Sequence, residues 1–122
     1  MHELSIAMSL LDVAAEEAQR QGGGRVLAIH LKLGPLSGVV KEALLSAFEL
    51  AREGSEFDDC RLVIKEVPIV IDCPVCEAHR PAQSLQEICC SVCGTPSMQL
   101  VSGRELEMVA MEIRDEHANA VS

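Results

Sequence analysis

The chain has 122 residues, enough for one modest domain with a small insertion but too few for two separate hydrophobic cores. Hydrophobic residues make up 48% of it and aromatic residues only 2%, so the core must be aliphatic and base-stacking surfaces are scarce. Ten basic residues face nineteen acidic ones, and the formal net charge of −9 repels phosphate. These features disfavour nucleic-acid binding.

The beginning of the chain has no basic stretch followed by an apolar run, as an export signal would have. No apolar run is long enough to span a membrane. We therefore expect a cytoplasmic protein that has neither a membrane nor a nucleic acid as its partner. In a reducing compartment, paired Cys-x-x-Cys motifs favour metal binding over disulfides.

The first predicted elements are a helix and a strand. Residues 3–21 show the three- and four-residue apolar spacing of an amphipathic helix, through Leu4, Met8, Leu11, Ala15 and Ala18. Glycines at positions 22–24 end this helix, because a run of three glycines does not sustain one. Residues 25–33 then alternate, with Leu27, Ile29, Leu31 and Leu33 on one face, which predicts a β-strand.

The later elements are a second helix and several strands. A loop at 34–38 leads to a predicted helix over 39–53, with an apolar stripe of Val40, Leu44, Ala47, Phe48 and Ala51. Residues 60–67 are β-prone, Pro68 interrupts them, and 69–71 lead to the first pair of cysteines. Residues 98–101 are expected to return from the ribbon, residues 104–113 are predicted as a further strand, and 115–122 as a frayed tail.

Two Cys-x-x-Cys turns separated by thirteen residues form the most specific motif. We call them knuckle 1, with Cys73 and Cys76, and knuckle 2, with Cys90 and Cys93. Two thiolates on each turn complete the tetrahedral shell that Zn²⁺ prefers, so the spacing predicts a structural zinc ribbon. A disulfide pair or an iron site is the alternative. A closed four-cysteine shell has no open position for a substrate, so the function must lie elsewhere.

These elements predict an α+β fold in which two helices pack on a small mixed β-sheet and a four-cysteine zinc ribbon is inserted between its later strands. The expected division is an α+β domain of residues 1–68 plus 99–116 and a zinc-ribbon domain of residues 69–98. Few large apolar residues lie within 69–98, so the ribbon needs metal to fold.

The N-terminus carries a second suggestive group. The α-amine of Met1, the backbone nitrogen of His2 and the His2 imidazole are three adjacent nitrogen donors. Nitrogen-rich tetragonal sites suit Ni²⁺ and Cu²⁺. Taken alone, an early histidine is more often an ordinary polar residue than a metal ligand.

Several separated motifs occur together: a start of Met1-His2-Glu3-Leu4-Ser5, a strand ending in Lys32-Leu33-Gly34, a following Ser37, the run Leu45-Ser46-Ala47-Phe48-Glu49 and the two knuckles. In this combination the chain resembles the HypA/HybF family of [NiFe]-hydrogenase maturation proteins over nearly its whole length. The resemblance implies a nickel metallochaperone, not an enzyme, that carries a structural Zn²⁺ and transports Ni²⁺. It also implies a HypB-type GTPase and the hydrogenase large subunit as partners, with the chain a monomer or weak homodimer.

The nickel ligands that the resemblance implies are the Met1 amine, His2 through backbone and side chain, and Glu3 through its backbone nitrogen. Members of the family often have a carboxylate near the start of the second helix, where this chain has Val40. Glu42 does not replace it, since two helical positions rotate a side chain by roughly 200°.

Two functions from other classes stay open. One is a zinc-ribbon interaction module without nickel transfer, and the other is a rubredoxin-like electron carrier with iron at the four cysteines. Other metal-binding residue types have ordinary explanations. His30 is expected to be an exposed side chain, and His79 to be either exposed or a hydrogen-bond partner near the zinc site. Cys60 is explained as a small buried hydrophobe, Cys89 as a bystander, and Met98, Met108 and Met111 as core residues.

Overall fold

The computed structural model describes residues 3–114. Its elements in chain order are α1 (Glu3–Arg20), β1 (Arg25–Leu33), a 3-10 turn (Pro35–Ser37), α2 (Lys41–Arg52), β2 (Arg61–Glu66), β3 (Val70–Cys73), β4 (Ala78–Pro81), β5 (Leu100–Ser102) and β6 (Leu106–Arg114). The predicted frayed tail at 115–122 lies outside the described residues, as do Met1 and His2.

The two helices and two three-stranded sheets confirm the α+β class. One sheet has the strand order β2-β1-β6, and the other has the order β4-β3-β5. The chain divides into two compact units: the described parts of Met1–Leu31, Val39–Ile64 and Met108–Ser122 form the first, and Lys32–Gly38 with Lys65–Glu107 form the second. The domain boundaries given above at 69–98 stay a prediction.

In the first unit, α1 and α2 pack against each other. Their buried side chains are Ala7, Leu10, Leu11, Ala14 and Ala18 from α1, with Leu44 and Phe48 from α2. The predicted stripe of α1 was therefore partly wrong, because Leu4 and Met8 are exposed while Ala7 and Leu10 take their place. The small alanine side chains allow the two helices to approach closely, which increases the dispersion attraction between them.

The strands of the first unit are joined by polar contacts. His30 on β1 lies 2.7 Å from Glu112 on β6, measured from Nε2 to Oε2, and Arg61 on β2 lies 3.9 Å from the same carboxylate oxygen. His30 is therefore half-buried with a carboxylate partner, and not the exposed side chain that the sequence predicted. Gly24 is required nearby, since a Cβ there would lie 2.8 Å from the carbonyl oxygen of Arg114.

In the second unit, β3 pairs antiparallel with both β4 and β5. Its buried cluster contains Ile71, Cys73 and Cys90. The four residues of β4, Ala-His-Arg-Pro, show no pattern that predicts a strand. They form one because they pair with β3. Met98 is 92% exposed, so its prediction as a core residue was wrong: it precedes β5 and lies on the surface. Met108 and Met111 are half-buried.

Within residues 3–114, neither helix has the length and apolar character that crossing a membrane would require.

Candidate metal centre

The structure brings the four predicted cysteines of the ribbon together. Their Sγ atoms all lie within 4.8 Å of one another. Two of these separations join the knuckles crosswise, with 3.5 Å between Cys73 and Cys93 and 3.9 Å between Cys76 and Cys90. Each knuckle thus supplies half of one compact set of sulfur donors.

The separations suit a tetrahedral metal ion. Zinc–thiolate bonds of about 2.3 Å place the sulfurs of a regular tetrahedron about 3.8 Å apart, and the crosswise distances of 3.5 and 3.9 Å lie on either side of that value. All four positions of such a shell are taken by protein sulfur, which leaves no place for water or substrate. The donor set therefore fits a structural metal ion.

Both knuckles orient backbone N–H groups toward the first cysteine of the turn. The Cys76 amide donates to Cys73 Sγ at 3.4 Å. In knuckle 2, the Val92 and Cys93 amides donate to Cys90 Sγ at 3.4 and 3.5 Å. Such donors stabilise a thiolate, which is the form that binds metal.

The second cysteine of each knuckle has a different environment. Cys93 is exposed, and its sulfur lies 3.1 Å from the Thr95 hydroxyl. The hydrogen bonds from Thr95 are the main reason that the pKa of Cys93 falls to about 6. Cys76 is half-buried: a hydrogen bond from Arg80 lowers its pKa, but contacts with the other cysteines and desolvation raise the pKa to about 11.

The other cysteines and the histidine that the sequence offered as possible ligands in this region lie outside this cluster. The four-residue group contains neither Cys89 nor His79. Cys89 lies 3.5 Å from the Gln83 side-chain oxygen. His79 pairs with Asp72 in the β3–β4 register, so the two share the face opposite Cys73. Cys60 is fully buried, and burial raises the pKa of its thiol.

Of the predicted nickel ligands, only Glu3 belongs to the described residues, as the first residue of α1. Its carboxylate accepts a hydrogen bond of 3.5 Å from the backbone nitrogen of Val40, directly before α2. An acidic group is favourable at this positive end of a helix. The side chain of Val40 is 57% exposed. Residue 3 and position 40 are therefore neighbours.

Two residues beside the cysteine cluster, Arg80 and Thr95, were not singled out from the sequence. Arg80 carries a signal in retrospect, because it is the only lysine or arginine between residues 66 and 103. Thr95 carries none beyond its place two residues after Cys93.

Comparison with known proteins provides independent information. A family model described as "Hydrogenase/urease nickel incorporation, metallochaperone, hypA" matches residues 1–113. The chain is 40% identical over 122 residues to hydrogenase maturation factor HypA of Roseiflexus sp. (strain RS-1), covering 100% of this chain and 99% of that relative. It is 43% identical over 112 residues to the factor of the same name from Chloroflexus aurantiacus (strain ATCC 29366 / DSM 635 / J-10-fl), covering 92% and 98%.

A solved structure is similar as well. The solution structure of the Ni metallochaperone HypA from Helicobacter pylori superimposes with a TM-score of 0.64 at 25% sequence identity. The match covers 93% of this chain and 97% of that one.

Proposed function

This chain belongs to the HypA family of nickel metallochaperones, and we propose on that basis that it binds Ni²⁺ at its N-terminus and delivers it for [NiFe]-hydrogenase maturation. The observation that carries the proposal is the family match over residues 1–113, which includes the segment Met1-His2-Glu3. The role is transport of a metal ion, without a catalysed reaction.

The proposed nickel ligands are nitrogen atoms at the start of the chain. The Met1 α-amine, the His2 backbone and imidazole nitrogens, and the Glu3 backbone nitrogen offer the nitrogen-rich set that suits Ni²⁺. The position of Glu3 supports this site. Its carboxylate accepts a hydrogen bond from the Val40 amide at the start of α2, so Glu3 would contribute its backbone nitrogen, and not its side chain, to the metal. A site on a chain terminus also lets the ion leave without unfolding a domain.

We assign Zn²⁺ to the four cysteines at positions 73, 76, 90 and 93, as a structural ion. The crosswise sulfur separations and the closed donor shell support this role. Zinc, when bound, holds the two knuckles together and supplies folding free energy to the ribbon. The protein residues contribute the thiolates and the N–H donors that stabilise them.

The partners that follow from this role are a HypB-type GTPase and the large subunit of the hydrogenase. Both belong to the cytoplasmic assembly of the metal centre, so we place the protein there as a monomer or weak homodimer. The net charge of −9 agrees with the absence of a nucleic-acid partner.

Metal analysis of untagged protein tests both metal assignments. We expect one tightly bound zinc and one exchangeable nickel per chain. An iron electron carrier would be red when oxidised, whereas a zinc protein is colourless. A ribbon that acts only as an interaction module would hold zinc but acquire no nickel.

The N-terminal assignment is tested by adding one residue before Met1. This converts the amine into an amide, and we expect nickel binding to be lost while zinc is kept. His2→Ala should have the same effect, and His79→Ala, an exposed histidine of the second unit, is the matched control. Equal nickel affinity in the extended, His2→Ala and unchanged proteins would rule the site out.

The amine also sets the pH dependence of nickel binding. Its ordinary pKa is about 7.7 to 8.0, and the proton must leave before the metal binds. Nickel affinity should therefore rise as pH increases through this range, measured by calorimetry at constant ionic strength. A flat profile would indicate that the amine is not a ligand.

Position 40 offers a gain-of-function test. Since the Val40 backbone nitrogen lies 3.5 Å from the Glu3 carboxylate, a carboxylate at position 40 would lie near the N-terminal ligands. We expect Val40→Glu to bind nickel more tightly than the unchanged protein, with Val40→Gln as the uncharged control. No gain in calorimetry would show that this position does not reach the ion.

A further inference from the structure

The register of β3 and β4 directs the Arg80 side chain toward the cysteine cluster. Arg80 pairs with Ile71, and Ala78 pairs with Cys73. Paired residues of antiparallel strands project on the same side of the sheet, and alternate residues of one strand share a face. Arg80 therefore shares the face of Ile71 and Cys73, which are two members of the buried cluster of this unit.

On that face, the Arg80 guanidinium is incompletely satisfied. Its Nε atom is buried and has no hydrogen-bond partner in the described part of the chain. The guanidinium lies near enough to the Cys76 thiol to lower the pKa of that group. A buried N–H of a cation without an acceptor is costly, and a negatively charged sulfur beside it removes that cost.

The charge of a loaded centre supplies that acceptor. Four thiolates and one divalent ion leave a net charge of about −2 in the middle of the ribbon. Arg80 is the only lysine or arginine between residues 66 and 103, a stretch that also contains Asp72, Glu77 and Glu87. The strand register thus places the single lysine or arginine of this segment on the sheet face that carries Cys73.

We propose that Arg80 is the counter-ion of the four-cysteine metal centre and positions the Cys76 thiolate as a ligand by donating a hydrogen bond to its sulfur. The inference rests on the proposed metal assignment for the ribbon. If Arg80 has this role, removing its guanidinium should lower the zinc affinity and change the reactivity of Cys76 alone among the four cysteines. If Arg80 only packed against the ribbon, its removal would not single out Cys76.

The first test is the zinc affinity of Arg80→Gln, measured by competition with a chromophoric chelator. Loss of an outer-shell partner costs about 10- to 100-fold in metal affinity, and we expect a loss in this range. Arg80→Lys keeps the charge but not the planar fork of donors, so its zinc affinity should lie between those of Arg80→Gln and the wild type. Arg104→Gln removes an exposed arginine of the same unit and is the matched control, with wild-type affinity expected.

The second test identifies the affected sulfur. In the zinc-loaded protein, alkylation followed by peptide mass spectrometry should modify exposed Cys93 before Cys76. In Arg80→Gln the modification rate of Cys76 should rise, since its thiolate has lost a donor, while the rate at Cys93 stays the same. Co²⁺ substitution should show the thiolate-to-metal charge-transfer band of Arg80→Gln at lower energy.

Wild-type zinc affinity together with an unchanged alkylation rate at Cys76 in Arg80→Gln would overturn the proposal. Should that variant fail to fold, the same two readouts on Arg80→Lys decide: values equal to wild type in both would overturn it. A wild-type protein that takes up no zinc would instead refute the metal assignment of the ribbon. Nickel binding at the N-terminus should be the same in all of these variants.

Discussion

The two knuckles share one sequence spacing but have different surroundings. In both, the first cysteine is fully buried and accepts backbone N–H groups. The second cysteine is half-buried in knuckle 1, beside Arg80, and exposed in knuckle 2, beside Thr95. The repeated motif therefore determines the positions of the sulfurs, while the adjoining structure determines their access to solvent.

The difference follows from how each knuckle is held. Knuckle 1 joins two paired strands, β3 and β4, which continue the sheet on both sides of the turn. Knuckle 2 is held by isolated bridges, in which Cys90 pairs with Ala82 and Cys89 pairs with Pro96. Its turn is closed by the Gly94 amide, which donates to the Cys90 carbonyl at 2.8 Å. A turn without continuous strands has fewer neighbours to cover it.

The largest effect should come from removing a ligand. Cys73→Ser and Cys93→Ser should each weaken zinc binding by more than about 100-fold, since a ligand contributes more than its outer partners. Both should destabilise the ribbon, because it needs metal to fold, and Cys73→Ser should do so more strongly, since Cys73 is fully buried with Ile71 while Cys93 is exposed. Zinc competition and hydrogen exchange of β3 measure the two effects separately.

Cys89→Ser is the matched control for these variants, since Cys89 is outside the four-sulfur group. It should keep stoichiometric zinc. Amides of α1 and α2 should keep their protection in every variant, because the helices pack in the first unit. Zinc that resists chelators in Cys73→Ser would contradict the assignment.

A smaller effect is expected from Thr95, the counterpart in knuckle 2 of Arg80. Thr95→Val removes the hydroxyl that lies 3.1 Å from Cys93 Sγ. The hydroxyl is an uncharged donor, so its hydrogen bond to the thiolate should contribute less than that of a guanidinium. At about 0.5–1.5 kcal/mol, its loss should lower zinc affinity by about 2- to 10-fold. Thr95→Ser keeps the hydroxyl and should retain the affinity. A loss of zinc affinity as large as that of Arg80→Gln would show that the partners of the two knuckles, Thr95 and Arg80, contribute equally to metal binding.

The smallest effect concerns the residue after each knuckle. Glu77 has φ 53° and Gly94 has φ 79°, both in the left-handed region. A Cβ at Gly94 would meet no atom within 4 Å, so Gly94→Ala tests backbone strain alone and should destabilise the ribbon by about 1 kcal/mol. Glu77→Gly should stabilise it by about 0.5 kcal/mol, since relief of strain exceeds the added freedom of the unfolded chain.

Thermal unfolding at a fixed free zinc concentration measures the stability of Gly94→Ala and Glu77→Gly. Opposite signs are expected. Destabilisation by Glu77→Gly would mean that the Glu77 side chain contributes more than its backbone conformation costs.

The sequence by itself determined the local features of this protein. The four cysteines were found by spacing, because a Cys-x-x-Cys turn brings its two sulfurs together without help from distant residues. β1 was predicted at its observed bounds, since alternation is a property of nine consecutive residues. The ends of both helices were predicted to within two residues, from apolar periodicity and the glycines that follow.

Only the tertiary structure decided the features that depend on pairing and burial. β4 is a strand because β3 lies beside it, and that pairing carries Arg80 to the cysteine face. The buried face of α1 contains Ala7 and Leu10 in place of Leu4 and Met8, because packing against α2 decides which side of the helix is covered, and both sides carry apolar residues at helical spacing. The unequal exposure of Cys76 and Cys93 likewise depends on contacts between residues far apart in the chain, and no local spacing encodes such contacts.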